Sequence, residues 1–135
     1  MATIMEMIGA TGVTVDTEQD FSLEIPVLDE MQRQGDVLVM PGNVTATTPV
    51  PPTGTPVVRG ENGGNTHAIF LNLDRAPVFC DVVTTRALRI ATLYVPEGST
   101  AYLGHPQHGY QGIAPGRYEI RRQREQADKI RIVAD

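Results

Sequence analysis

The chain of 135 residues lacks the features that define several protein classes. Its single cysteine, Cys80, excludes an intrachain disulfide and agrees with a reducing compartment. It contains no run of about 18 apolar residues, so the sequence predicts no transmembrane helix. Its first residues, MATIMEMIGATG, have neither the basic region nor the long apolar core of a signal peptide. We therefore expect a cytoplasmic protein of one-domain size with no membrane partner.

Positive charge and catalytic motifs are also scarce. Sixteen acidic residues outnumber eleven basic ones, and the formal net charge of −5 makes nucleic acid an improbable partner. One basic stretch, Arg117–Arg124, has acidic neighbours, so we interpret it as an exposed, ion-paired strand; contact with phosphate or RNA is the alternative. The G-x-S-x-G, P-loop and H-E-x-x-H motifs are absent.

Proline and glycine interrupt the chain at short intervals. Ten prolines and thirteen glycines leave few windows in which a 12-residue helix could form. Short β-branched runs lie between them at a spacing of about ten residues, which is typical of β-sandwiches and small barrels. The helix candidate in the first half is residues 27–34, VLDEMQRQ, for which a polar turn before a strand is the alternative. We predict an all-β domain, a small β-roll, barrel or sandwich, with at most one short helix.

The domain organisation expected from these patterns is simple. Residues 1–30 form an N-terminal arm, and residues 31–135 form the β-roll domain. The threonine- and proline-rich stretch at 42–56 is interpreted as a surface loop; a PxxP peptide ligand is the alternative, although a basic anchor is missing. The charged tail after Arg117 is interpreted as a hairpin rather than a helix, because both of its ends are rich in β-branched residues.

The three histidines are the residues with the most chemical potential. His105 and His108 are three residues apart in GHPQHG, a spacing that places side chains on opposite faces of a strand. They can reach one point only if Pro106 and Gly109 mark a turn. His67 opens a separate strand after a glycine-rich loop.

Three imidazoles could bind a borderline divalent metal, and an acidic residue, Glu61 or Asp81, could add an oxygen ligand. The alternative is that all three are surface or hydrogen-bonding histidines. Cys80 could be a thiol nucleophile, but PVFCDVV is typical of a buried strand, which favours an inert core cysteine.

Two blocks of the sequence resemble an uncharacterised family of small bacterial and phage-encoded proteins. They are RGENGGNTHAI at 59–69 and HPQHGYQGIAPGRYEIRRQRE at 105–125. Members of that family carry a G-E-x-T-G-H-x-H segment, then H-x-E-H-G and a P-G-x-Y turn that leads to Q-R-E. The resemblance covers roughly residues 33–135. It implies a cupin-like β-roll with paired histidines and no established activity.

The family's histidine positions are only partly kept in this chain. Residues that match the family blocks are Glu61, Gly64, His67, His105, His108 and Gly109. Asn65 stands where the family has its first histidine, and Gln107 replaces a glutamate. Because neutral amides are poor ligands for zinc or iron, the resemblance implies at most a weakly bound divalent metal and no other cofactor. A PEG turn at 96–98 is similar to a cupin turn, but Ala101 stands where a cupin has its next histidine.

Because Asn65 and Gln107 replace two of the family's potential ligands, the sequence favours a non-enzymatic role. The N-terminal arm carries several apolar residues, which suit the covering of a neighbour's sheet edge; these are Met1, Ile4, Met5, Met7 and Ile8. We therefore expect an assembly or accessory protein that forms a homo-oligomer or docks on a protein partner. The alternative is a metal-binding, cupin-like enzyme that uses His67, His105 and His108.

Overall fold

The computed structural model describes residues 2–16, 20–59, 65–83 and 89–122. Within these ranges the chain forms one short helix and ten strands, which confirms the prediction of a small all-β fold with at most one short helix. In chain order the elements are α1 (Ile4–Thr11), β1 (Val27–Leu28), β2 (Gln32–Gln34), β3 (Val37–Pro41), β4 (Thr55–Val58), β5 (His67–Leu71), β6 (Phe79–Val82), β7 (Arg89–Val95), β8 (Ala101–His105), β9 (Gly109–Ile113) and β10 (Gly116–Arg122). The tail after Arg122, for which a hairpin was predicted, lies outside the described residues, as does Glu61.

The strands form two five-stranded sheets. The first sheet has the order β1-β9-β8-β5-β4, and the second has the order β2-β3-β10-β7-β6. Alternate residues of both sheets point between them, as the two-residue period of a strand requires. Ile69 and Leu103 of the first sheet and Val39 and Leu93 of the second belong to one buried cluster. This inner core holds the two sheets together.

The helix lies in the N-terminal segment and is closed at both ends. Thr3 and Glu6 form a capping box: the Thr3 hydroxyl accepts from the Glu6 amide, and the Glu6 carboxylate accepts from the Thr3 amide. Gly12 ends the helix with a φ of 76°, and its amide donates to the Ile8 carbonyl at 2.9 Å. The candidate at 27–34 is not a helix, because β1 pairs in parallel with β9 and β2 pairs with β3.

The N-terminal segment covers the outer face of the first sheet. Met7 and Ile25 pack with Phe70, Tyr102 and Tyr110 in a second buried cluster. Met7 is fully buried, so the apolar residues of this segment belong in large part to the chain's own core. GVTVDT is one of the short β-branched runs that predicted strands, but its described residues 12–16 form no strand.

Cys80 lies in the inner core, as its sequence context predicted. Burial, with a smaller contribution from the neighbouring charge of Asp81, raises the pKa of its thiol to about 12. The thiol is therefore protonated and unreactive at neutral pH.

Among the described residues, no helix combines the length and the apolar character needed to cross a bilayer.

Candidate metal centre

His67 and His105 face each other across two neighbouring strands of the first sheet. Strands β5 and β8 are antiparallel, and Ala68 pairs with Gly104. The next pair toward this end of the sheet is His67 with His105, and directly opposite side chains on such strands are close neighbours. His67 shares its strand face with Ile69, so both imidazoles point into the space between the sheets. Both residues are buried, with exposed fractions of 4% and 3%.

A tight turn adds the third imidazole. Strand β8 ends at His105, β9 begins at Gly109, and residues 106–108 form the turn between them. Gly109 has a φ of 84°, a left-handed conformation that glycine adopts without strain. This reversal brings the exposed ring of His108 back over the strand ends. The turn that the sequence suggested at Pro106–Gly109 is thus present.

The three rings form one compact cluster. One ligand nitrogen from each of His67, His105 and His108 lies within 4.8 Å of the others. The ring centroids of His67 and His105 are 4.1 Å apart, those of His105 and His108 are 4.6 Å apart, and those of His67 and His108 are 5.8 Å apart. Three nitrogens bound to one zinc ion are about 3.3 Å from one another. Small side-chain rotations would therefore place all three around one ion.

His67 is a buried polar residue with no hydrogen-bond partner among the residues that the structure describes. Neither of its ring nitrogens has a hydrogen bond to any group in the described part of the chain. Burial, and then repulsion from a charged His105, lower the pKa of His67 to about 4. The charge of Asp36 and the nearby Gln34 backbone act in the opposite direction and raise the pKa. The Gln34 backbone is close to the ring but does not meet the geometry of a hydrogen bond. His67 is therefore neutral at pH 7, the form in which imidazole binds metals.

His105 is held by the turn that it opens. Its Nδ1 accepts hydrogen bonds from the backbone amides of Gln107 at 3.0 Å and His108 at 3.3 Å. A neutral imidazole whose Nδ1 accepts carries its proton on Nε2. Burial, together with repulsion from a charged His108, lowers the pKa of His105, while a hydrogen bond with the Asn65 backbone and the charge of Asp36 oppose the shift.

A metal ion would compete with the two amides for His105. If the ion takes Nδ1, it occupies the lone pair that the amides now use. If it takes Nε2, the ring proton moves to Nδ1, which then no longer accepts. In both cases a bound metal would break the hydrogen bonds of the Gln107 and His108 amides, which would couple the conformation of the turn to metal occupancy.

The hairpin between β2 and β3 closes the site from the second sheet. Gln34 pairs with Val37, which leaves Gly35 and Asp36 as a two-residue turn, and Gly35 has a φ of 59°. The buried side-chain amide of Gln34 donates to the carbonyls of Leu103 and Gly109, both at 3.0 Å. These bonds attach the hairpin to the two strands that flank the histidine turn.

Asp36 supplies negative charge beside the cluster. The half-buried carboxylate acts on both His67 and His105, in each case favouring the charged ring. The same charge would favour a bound dication. Sequence reasoning missed Asp36 as a site residue, because its placement depends on the hairpin of one sheet reaching the strand ends of the other.

The other predicted site residues have different positions. Asn65 is exposed, and it meets His105 through its backbone rather than its side chain. Gln107 is exposed in the turn and contributes its amide. Asp81 is not brought to the histidines: it lies in β6 of the second sheet, where its carboxylate accepts from the backbone amides of Thr47 and Thr48. Glu61 falls outside the described residues.

Comparison with known proteins identifies the family. The model of a family described as "Domain of unknown function (DUF8820)" matches residues 33–123, which is more than half of the chain. The chain therefore belongs to that family. The matched range contains the three histidines and the hairpin with Gly35 and Asp36. No curated protein and no solved structure matches the chain.

Proposed function

We propose that this member of the DUF8820 family binds one divalent transition metal ion through His67, His105 and His108. The observation that carries the proposal is the approach of three imidazole nitrogens to within 4.8 Å of one another. Imidazole ligands suit zinc, copper and nickel. The buried and unpartnered nitrogens of His67 support the same conclusion, because an ion would supply the interaction that they lack.

Three protein ligands leave a coordination position open on a tetrahedral ion. Catalytic zinc sites use this arrangement, whereas structural sites are closed by four protein ligands. His108 is the exposed member of the set, so the open position would face solvent on its side. An ion there would act as a Lewis acid or lower the pKa of a bound water. The resemblance to a cupin-like family with paired histidines agrees with this function.

The direct test is isothermal titration of tag-free protein with zinc chloride. We expect one ion per chain and a loss of binding in His108→Ala, which removes an exposed ligand without opening the core. Exposed Gln107→Ala is the matched control from the same turn and should bind as the parent does. Absence of saturable binding in the parent, or equal binding in His108→Ala, would show that the cluster is not a metal site.

A second readout follows from His105. Zinc should move the amide NMR signals of Gln107 and His108 strongly, because both amides lose their acceptor. The amide of Ser99, which donates to the Pro96 carbonyl in another turn, should keep its position. Binding without a change at the two turn amides would place the ion elsewhere.

A non-enzymatic assembly role is the second candidate, and exposed apolar side chains favour it. Among the described residues of the first 31, four large apolar side chains have exposed fractions between 38% and 62%: Met5, Leu23, Leu28 and Met31. Burial of such side chains against a second copy of the chain would remove apolar area from water. Light scattering of the parent and of Leu23→Ser/Met31→Ser tests this role. A monomeric parent at micromolar concentration would rule out self-association.

A further inference from the structure

A groove leads along the outer surface to the exposed side of the histidine cluster. It encloses about 500 Å³, a volume suited to a small organic molecule. The N-terminal segment lines it with Leu23, Glu24 and Ile25, and β9 lines it with Tyr110. His108 lines the groove as well, so a molecule bound there would contact a residue of the proposed metal centre.

The lining combines apolar surface with charge of one sign. Asp20 and Glu24 are the two acidic side chains of its lining, and no lysine or arginine lines it in the described part of the chain. The hydroxyl and the amide of Ser22 donate to Asp20 at 2.6 Å and 3.0 Å and keep the pKa of that carboxyl below its usual value. Both carboxylates are exposed at the groove, so they remain available to a ligand.

We propose that this groove binds a small organic ammonium ion with an apolar body and places it beside the metal. The carboxylates of Asp20 and Glu24 select the positive charge, and the exposed apolar surfaces of Leu23 and Pro26 contact the body of the ligand. An anion would be repelled by both carboxylates, and a neutral analogue would lose the ion pair. The inference rests on the proposed metal site, because His108 is the wall that the groove and the metal centre share.

The test uses 2-phenylethylammonium as the probe and full-length protein loaded with Co²⁺. Binding is measured from protein amide shifts, and proximity to the metal from cobalt-induced shifts of the probe protons. We expect saturable binding with cobalt-induced shifts, and weaker binding of 2-phenylethanol and 3-phenylpropionate.

Glu24→Gln should weaken binding of the ammonium by about fivefold, the size of an exposed ion pair. Glu97→Gln, the same change in the β7–β8 turn, should have no effect.

The outcomes separate the two proposals. If cobalt binds but the anion or the alcohol binds as tightly as the ammonium, the groove does not select a cation. If Glu24→Gln and Glu97→Gln behave alike, Glu24 is not part of the site. If the probe binds without cobalt-induced shifts, the groove is independent of the metal. If cobalt itself does not bind, the proposed function fails and this inference fails with it.

Discussion

A Cβ atom on Gly35 would lie 2.8 Å from Nε2 of His108. The turn of the second sheet and the exposed metal-ligand candidate of the first sheet therefore occupy adjoining space. Such an approach is too close for two unbonded atoms, and the imidazole is the group that can move, because it ends an exposed side chain. Gly35 is thus a residue that allows the His108 ring to reach the cluster.

Gly35→Ala should displace the His108 ring and weaken zinc binding at least tenfold. Its φ of 59° also imposes strain on alanine, of about 1 kcal/mol in the free energy of unfolding. Gly98→Ala is the matched control: its φ is 84°, but a Cβ there meets nothing within 4 Å. Urea unfolding should show a similar loss of stability in both variants, and titration calorimetry should show weaker zinc binding only in Gly35→Ala. Equal zinc affinity in the two variants would contradict the contact.

The stability of the metal-free protein should fall as the pH decreases from 6.5 toward 4. The folded-state pKa of His67 is about 4, whereas its ordinary value is 6.5. In that interval the unfolded chain binds a proton that the folded chain does not, so acid favours unfolding. The full difference corresponds to about 3 kcal/mol. His105, whose pKa is also lowered, adds a contribution of the same sign.

Denaturant unfolding of the parent and His67→Leu at pH 7.5, 6, 5 and 4 measures this effect. The variant lacks the titrating group, so its stability should depend less on pH than that of the parent. Parallel pH profiles for the two proteins would show that His67 does not carry the acid sensitivity.

Asn65→His/Gln107→Glu should strengthen zinc or nickel binding if the family pattern describes a metal site. Each substitution restores the residue type that the resembling family carries, and imidazole and carboxylate are better ligands than amides. Both positions are exposed, so the substitutions need not disturb the core. Isothermal titration against the parent decides the matter. No gain in affinity would mean that these two side chains do not reach the ion.

Gln34→Leu should lower the free energy of unfolding by about 1 kcal/mol more than Gln32→Leu does. Gln34 donates to two carbonyls, those of Leu103 and Gly109, whereas the Gln32 amide donates to the Gly112 carbonyl at 3.0 Å. One additional net hydrogen bond contributes about that amount. Thermal unfolding of the two variants compares them directly. An equal loss would mean that the second Gln34 bond adds no stability.

Much of the fold could be predicted from local sequence patterns. The β-branched runs between prolines and glycines correspond to strands β3 to β7 and β10, because their alternating faces pack one inner core. The N-terminal helix was missed, although Thr3, Glu6 and Gly12 carry its cap signals, because the segment is short and was interpreted as an arm. Its stability comes from packing on the first sheet, which a local pattern does not show.

Only the part of the candidate site formed by residues close together in the sequence could be predicted. The turn from His105 to His108 follows from Pro106 and Gly109. The contributions of Gly35 and Asp36 depend on the contact between two sheets whose partner residues are far apart in the sequence. Such contacts are fixed by packing rather than by any short motif, and the negative charge was therefore assigned to Glu61 or Asp81 instead.

The buried thiol of Cys80 is a built-in probe of transient opening of the inner core. With a pKa of about 12 and an exposed fraction of 2%, it reacts with thiol reagents only when the inner core is transiently exposed. The rate of its modification therefore measures how often the part of the core around Cys80 opens. Because no second cysteine is present, every modified molecule reports the same event. A ligand that stabilises the closed protein will slow that rate in proportion to its occupancy, even when it binds far from the thiol.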